Sequence, residues 1–211
     1  RAVERSRGLG DVYKRQLYYL TLIPAWLVCE HKLADLNEFT VRIVPVFFGV
    51  LLILLLLLLV DGLTWPVASI GAALTAISPA FVFYSRYYIH EVLLVCFSFG
   101  TIVCGWRYLP IKNIKWALLA GVFIGLSHAT KETAIIVFIS MLLALALTVI
   151  IEVRKECSKA NIQKAMNFQH IFAALATAII VSALFYSSHL SNLRGIPDSF
   201  TAYATYLNKA S

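Results

Sequence analysis

The chain has 211 residues, of which 60% are hydrophobic and only 14% are charged, and its mean hydropathy is +0.81. This balance excludes an ordinary soluble domain and predicts a polytopic membrane protein. The formal net charge of +7 does not indicate nucleic-acid binding, because the basic residues fall in short loops between apolar segments. The four cysteines form no CxxC pair, which predicts small apolar core residues rather than a metal or disulfide role.

The N-terminal region differs in character from the rest of the chain. Its first sixteen residues are polar and aperiodic, and residues 8–16 resemble a translated sequencing-adapter artefact. We therefore expect residues 1–16 to be a non-native leader. Residues 17–211 are expected to form part of the membrane domain of a longer protein. Within it, residues 17–28 are too few to cross a bilayer and contain Pro24, which predicts an interfacial helix ahead of a polar loop, residues 30–40.

Apolar segments of about 20 residues, the length that crosses a bilayer, then recur with little between them. The six predicted spans cover residues 41–60, 63–84, 92–109, 116–130, 133–151 and 168–187. Pro66 falls in the first turn of its span, where a missing N–H is harmless, whereas Ser78-Pro79 should disturb the last turns. Gly121 and Gly125 form a GxxxG motif that predicts a helix-packing seam. The expected fold is an all-α bundle of about six transmembrane helices plus an interfacial helix.

The distribution of Lys and Arg over alternate loops predicts the orientation, because positive loops are retained in the cytoplasm. One set holds Arg107, Lys112, Lys115, Arg154, Lys155, Lys159 and Lys164, and the other holds Lys32, Arg42, Arg86 and Lys131. Seven against four favours a cytoplasmic location for the first set. The loop of residues 30–40 and the turns at Arg86 and Lys131 are then expected outside.

Three outer turns carry ionisable residues that interrupt the apolar segments. They are Glu30, His31, Asp35, Glu38 and Arg42 in the first, Arg86, His90 and Glu91 in the second, and His128, Lys131 and Glu132 in the third. Charge that points into lipid is costly, so these turns predict a shared polar pocket. On a helix, the i,i+4 spacing of Arg86 and His90, and that of His128 and Glu132, would place each pair on one face.

The chemistry of this constellation leaves several readings open. Cations at the membrane surface suit a substrate with a phosphate head and a lipid tail, and a nearby carboxylate could bind a divalent metal or hold a cation in place. Alternatively, Arg86 and Lys131 could extend to the interface, and His90 could be an interfacial residue. His128 could hydrogen-bond between helices, and the first loop could simply be solvated. Tyrosines such as Tyr84, Tyr87 and Tyr88 also fit an interfacial aromatic belt.

Several short motifs follow one another in a characteristic order. They are Leu17-Tyr18-Tyr19-Leu20, then Glu38-Phe39-Thr40-Val41-Arg42-Ile43-Val44-Pro45 with Gly49, then Ser78-Pro79 followed by Tyr84-Ser85-Arg86 and Glu91, then Gly125-Leu126 with Thr130-Lys131-Glu132. This order resembles the GT-C membrane glycosyltransferases, and among them the dolichyl-phosphate-mannose protein mannosyltransferase-like group (glycosyltransferase family 39) of archaea and bacteria. The tail from Phe185 to Tyr203 is similar to one prokaryotic branch, so the resemblance covers residues 17–211.

The resemblance implies a multi-pass transferase in the cell membrane of a prokaryote. Such an enzyme takes a sugar from a polyprenyl-phosphate carrier at the outer face and passes it, with inversion, to a glycan, lipid or protein acceptor. An acid in the first outer loop acts as base or orients the acceptor. We expect that segment to precede this chain, which by itself should then be inactive.

The resemblance also implies roles for individual residues. Arg42 matches the arginine that opens the second family helix, Glu91 the second-loop acid and Lys131 the third-loop lysine. Lys131 and Arg86 would then hold the carrier phosphate, while Glu91, the candidate catalytic residue, would position a metal, the acceptor or a cation. His90 joins them as a further candidate substrate-binding residue. So does Glu132, which stands where many relatives have glycine.

Two other classes of protein remain open. A lipid or solute transporter would line a path through the bundle with polar groups, but the interiors of the predicted spans are almost free of charge, and no broken-helix pair recurs in two halves. A noncatalytic partner in envelope glycan assembly would keep the fold and lack the base.

Overall fold

A computed structural model describes residues 16–28, 37–154 and 167–187, with the backbone alone for residues 152–154. This part of the chain is helical and contains no strand. Helix α1 covers residues 16–27, and the others are α2 (Glu38–Leu57), α3 (Val60–Leu63), α4 (Trp65–Ile77), α5 (Pro79–Arg86), α6 (Glu91–Ile111), α7 (Ile114–Thr130), α8 (Ala134–Arg154) and α9 (Phe168–Tyr186). The predicted all-α fold is confirmed. Most of the suspected leader, the first-loop residues Glu30, His31 and Asp35, and the tail beyond Ser187 lie outside the described residues.

The helices that could cross a membrane differ somewhat from the six expected spans. Within the described ranges, α2, α6, α8 and α9 are long and apolar enough, and the bent pair of α4 and α5 makes a fifth candidate. Helix α7 is apolar but has only 17 residues. At 1.5 Å per residue it rises roughly 25 Å, somewhat less than the thickness of a bilayer core. The described residues therefore contain four or five helices that could cross a membrane, and the shorter helix α7 lies beside them.

The bend between α4 and α5 has a local cause. The two axes meet at 59°, and Ser78 between them has an extended backbone with ψ 120°. A residue before proline avoids the helical region, and Pro79 then opens α5, where its missing N–H costs nothing. The predicted disturbance at Ser78-Pro79 is confirmed.

Helix α7 lies in the centre of the bundle, between α6 and α9. Its two GxxxG glycines face α9 so closely that a Cβ on Gly121 would overlap the carbonyl oxygen of Ala174. A Cβ on Gly125 would lie 2.6 Å from that of Ala178. Only glycine allows this approach of two backbones, so the predicted packing seam is confirmed. Outside this core, most large side chains of α8 and α9 are exposed, as suits helices that face lipid.

Contacts between helix ends define two edges of the bundle. The Lys131 edge contains the start of α2, the end of α5, the start of α6 and the end of α7. The Arg107 edge contains the end of α2, the short helix α3, the end of α6 and the start of α7. An ion pair links elements at each edge, Lys131 with Glu91 at the first and Arg107 with Asp61 at the second.

Candidate functional site

An ion pair joins two of the predicted turns at the Lys131 edge. Glu91 is the first residue of α6, where a carboxylate interacts favourably with the helix dipole. Lys131 follows α7 with an extended backbone, and its Nζ lies 2.7 Å from Glu91 Oε1. The two side chains are 36% and 45% exposed, so other molecules can reach the pair. The sequence predicted a metal, the acceptor or a cation beside Glu91. The structure places a cation there, the Lys131 ammonium.

Two arginines line an open cavity at the same edge. It has a volume of about 910 Å³, and its lining comes from the start of α2, the end of α4, α5 and the segment after it: Glu38, Val41, Arg42, Ile77, Pro79, Val82, Phe83, Arg86, Tyr87 and Tyr88. Arg42 pairs with Glu38 at 3.1 Å, but both side chains are exposed, so this pair is weak. No acidic side chain among the described residues pairs with Arg86. Among its described lining residues, two guanidinium groups and one carboxylate give this cavity, here called the arginine cavity, a net positive charge.

The segment between Arg86 and Glu91 is held by helix α1. The hydroxyl of Thr21 donates to the carbonyl oxygen of Leu17 at 2.8 Å. The Tyr88 hydroxyl lies 2.7 Å from Thr21 Oγ1 and therefore donates to it. Burial raises the pKa of the Tyr88 phenol above its usual value. Sequence reasoning missed this link, because nothing in the local pattern around Thr21 or Tyr88 identifies the other as its partner.

A second contact ties α1 to the end of α7. The buried hydroxyl of Thr130, the residue before Lys131, lies 2.7 Å from both Gln16 Oε1 and the carbonyl oxygen of Leu126 and shares its proton between them. Gln16 is itself buried and lies in α1, although the sequence pattern assigns it to the leader. Helix α1 thus contacts the segment between Arg86 and Glu91 and also the end of α7, next to Lys131.

Two residue pairs do not share the helix faces predicted for them. Helix α5 ends at Arg86 and Tyr87 is extended, so Arg86 and His90 do not share a helix face. His90 is instead the N-cap residue of α6 and is partly buried. Helix α7 ends at Thr130, so Glu132 lies in the following turn, partly buried, and shares no helix face with His128.

His128 makes the interhelical contact that was one of its two expected roles. Its Nδ1 lies 2.8 Å from Ser182 Oγ of α9. Tyr186, also in α9, donates its hydroxyl to the backbone carbonyl oxygen of His128 at 2.8 Å. These bonds hold the ends of α7 and α9 together below Lys131.

The described residues offer no ready-made metal centre. Within that part of the chain, no three His, Cys, Asp or Glu side chains come together as possible ligands. Glu91 directs Oε1 at an ammonium group instead. A divalent metal at this edge stays a prediction.

At the Arg107 edge, the end of α6 contacts α2, α3 and α9. The sequence did not predict these contacts. Arg107 pairs with Asp61, and its Nε donates to the carbonyl oxygen of Leu58 at 2.9 Å. The Trp106 ring covers Gly62, and Tyr108 Oη lies 3.1 Å from His170 Nδ1 of α9. The sequence pattern identified Arg107 only as an orientation signal.

Comparison with known families adds to this geometry. The family model described as dolichyl-phosphate-mannose-protein mannosyltransferase matches residues 24–189, most of the chain. The chain belongs to this mannosyltransferase family. No curated protein and no solved structure matches it. The mannosyltransferase match confirms the resemblance drawn from the motifs, and it makes the protein a membrane glycosyltransferase of the class that uses polyprenyl-phosphate sugar donors.

Proposed function

We propose that this mannosyltransferase-family protein moves a hexose or pentose from a polyprenyl-phosphate carrier to an acceptor hydroxyl, with inversion, at the outer face of a prokaryotic plasma membrane. The observation that carries the proposal is the arginine cavity, in which Arg86 has no acidic partner among the described residues. A cation in an open cavity at a membrane edge is suited to an anionic lipid head.

The leaving group explains why guanidinium groups are useful there. When the acceptor oxygen attacks the anomeric carbon, the bond from that carbon to the phosphate oxygen breaks and negative charge builds up on the phosphate. Arg86 stabilises this charge with two parallel hydrogen bonds, and Arg42 provides a second guanidinium group. The apolar part of the lining, Val41, Ile77 and Val82, accommodates the first units of the prenyl chain.

The Glu91–Lys131 pair lies at the same edge and supports the same step. Glu91 holds the Lys131 ammonium in one position, and a fixed cation stabilises developing charge without reorganising. Glu91 is therefore a positioning residue in this proposal. His90 and Glu132 flank the pair in sequence and are proposed to contact the acceptor. In this proposal, the base that removes the acceptor proton is assigned to none of the described residues.

The Lys and Arg distribution supports an outer location for this edge. The cations of the described part that lie toward the Arg107 edge include Arg107, Lys112 and Lys115, and positive loops of this kind favour the cytoplasm. The Lys131 edge then faces outward.

A transfer assay tests the proposal directly. The full-length protein in lipid nanodiscs would be given polyprenyl-phosphate hexoses and pentoses, and release of polyprenyl phosphate would be measured. Replacing Arg86 by Gln should lower the transfer rate on the order of 100-fold, the typical cost of removing one charge-stabilising donor. Lys115→Gln, which removes an exposed cation at the Arg107 edge, is the matched control and should leave the rate within about twofold of the wild type. No transfer from any donor, or an unchanged rate for Arg86→Gln, would contradict the proposal.

A further inference from the structure

Two aromatic rings stand together beside Arg86. The ring centroids of Phe83 and Tyr87 are 4.6 Å apart and the ring planes are tilted by 34°. Both residues line the arginine cavity, and they remain 53% and 54% exposed. Aromatic residues of this size usually contribute most of their area to a core or an interface. This pair contributes to the wall of an open cavity instead.

Phe83 and Tyr87 flank Arg86 in the sequence. Phe83 lies in the last turns of α5, and Tyr87 directly follows Arg86, at the point where the helix ends. The next residue, Tyr88, is anchored to Thr21 of α1, so the segment that carries Tyr87 is fixed on its far side. A cation and two exposed rings are therefore presented to one cavity by a short, supported stretch of chain.

We propose that Phe83 and Tyr87 form a platform for the sugar ring of the donor while Arg86 holds its phosphate. This inference rests on the function proposed above and names the part of the substrate that the rings recognise. The sugar of such a donor is bonded directly to the phosphate, so it must lie next to the phosphate-binding cation. The C–H bonds on one face of a sugar ring carry partial positive charge and are attracted to the negative face of an aromatic ring. Binding pockets commonly combine such apolar surfaces with a few polar groups that fix orientation.

The competing role for these rings is an interfacial belt, in which they contact lipid headgroups only. The two roles differ in one measurable respect. A belt residue contributes equally whether or not a sugar is attached to the lipid phosphate. A platform residue contributes only when the sugar is present.

The test compares two probes on the full-length protein in nanodiscs: farnesyl phosphate and farnesyl-phosphate mannose. For Tyr87→Leu, the affinity for the sugar-bearing probe should fall about three- to tenfold, the equivalent of one aromatic contact, and the affinity for farnesyl phosphate should change less than about twofold. Tyr87→Phe keeps the ring and should behave as the wild type. Tyr84→Leu is the matched control, because Tyr84 is an exposed neighbour that lines the groove beside Glu91 and not the arginine cavity.

The outcomes separate this inference from the function on which it rests. Equal losses for both probes in Tyr87→Leu, or no loss for either, would overturn the platform. If Arg86→Gln weakens both probes in the same experiment, the phosphate assignment stands whatever Tyr87 does. If neither probe binds the wild type, both the function and the platform are overturned. Phe83→Leu provides a second variant in case Tyr87→Leu disturbs folding, and the same selectivity for the sugar-bearing probe is expected.

Discussion

Arginines at the two edges of the bundle interrupt apolar sequence in a similar way, yet their surroundings differ. At the Arg107 edge, the guanidinium pairs with Asp61 and donates to a backbone carbonyl at the end of α2. At the Lys131 edge, Arg86 lies in an open cavity and pairs with no acid in the described part of the chain. A cation at a membrane edge is structural when acceptors from neighbouring elements surround it. One that is left beside an open cavity is available to a ligand.

Removing the ammonium at the Lys131 edge is expected to have the largest effect on activity. Lys131→Ala should lower sugar transfer on the order of 100-fold, because the developing phosphate charge loses a fixed cation. The thermal unfolding midpoint should change little, since the Glu91 carboxylate that remains is nearly half exposed. Lys115→Ala is the control. Transfer within about twofold of the wild type in Lys131→Ala would remove this residue from the site.

The role of Glu91 is sharpened by a double-mutant cycle. Glu91→Gln alone should lower transfer about tenfold, because it releases the Lys131 side chain without removing its charge. In the Lys131→Ala background, Glu91→Gln should have almost no further effect on transfer, because Glu91 acts only by positioning Lys131. Additive losses in the double variant would show that Glu91 acts on the substrate by itself.

The opposite edge should show the reverse pattern. Arg107→Gln should destabilise the fold by about 1 kcal/mol, because the exposed Leu58 carbonyl and the exposed Asp61 carboxylate lose a charged donor. Transfer per folded molecule should stay within about twofold. Unfolding monitored in detergent at increasing denaturant would measure the first quantity. An active-fraction-corrected transfer assay would measure the second. A large loss of transfer with unchanged stability would contradict the division between the edges.

At Gly62, beneath the Trp106 ring, we expect an effect on stability only. A Cβ at this position would lie 2.6 Å from a ring carbon, so the indole must shift. Gly62→Ala should cost about 1–2 kcal/mol of unfolding free energy. Gly105→Ala is the matched control, because a Cβ there meets no atom within 4 Å. It should be neutral or slightly stabilising, since alanine favours helix more than glycine does. Equal destabilisation of both variants would mean that the ring adapts freely.

The sequence predicted features whose causes are local. The bend at Ser78-Pro79 follows from proline geometry, and the seam at Gly121 and Gly125 follows from a four-residue spacing. Helix alternation also placed Glu91 and Lys131 at one edge. Their direct contact could not be predicted, because the two residues are 40 positions apart and their pairing depends on how α6 packs on α7.

The errors arose where a local rule was extended past a helix end. The spacing of Arg86 and His90 suggested a shared face, but α5 ends at Arg86, and neither Gly nor Pro marks that end in the sequence. The role of Arg107 was missed for a different reason. Its partners, Asp61 and the carbonyl oxygen of Leu58, are more than 40 positions away and become neighbours only when α2 and α6 pack.

The central claim, that the Lys131 edge binds the carrier phosphate, can be tested by cross-linking. A short-chain polyprenyl phosphate with a photoreactive group next to the phosphate would be bound to the full-length protein in nanodiscs, and the labelled peptides would be identified by mass spectrometry. We predict labels in residues 38–42 and 79–88, the two segments that contribute most of the lining of the arginine cavity, and their loss in Arg86→Gln. Labels confined to residues 58–62 and 106–115, at the Arg107 edge, would contradict the account.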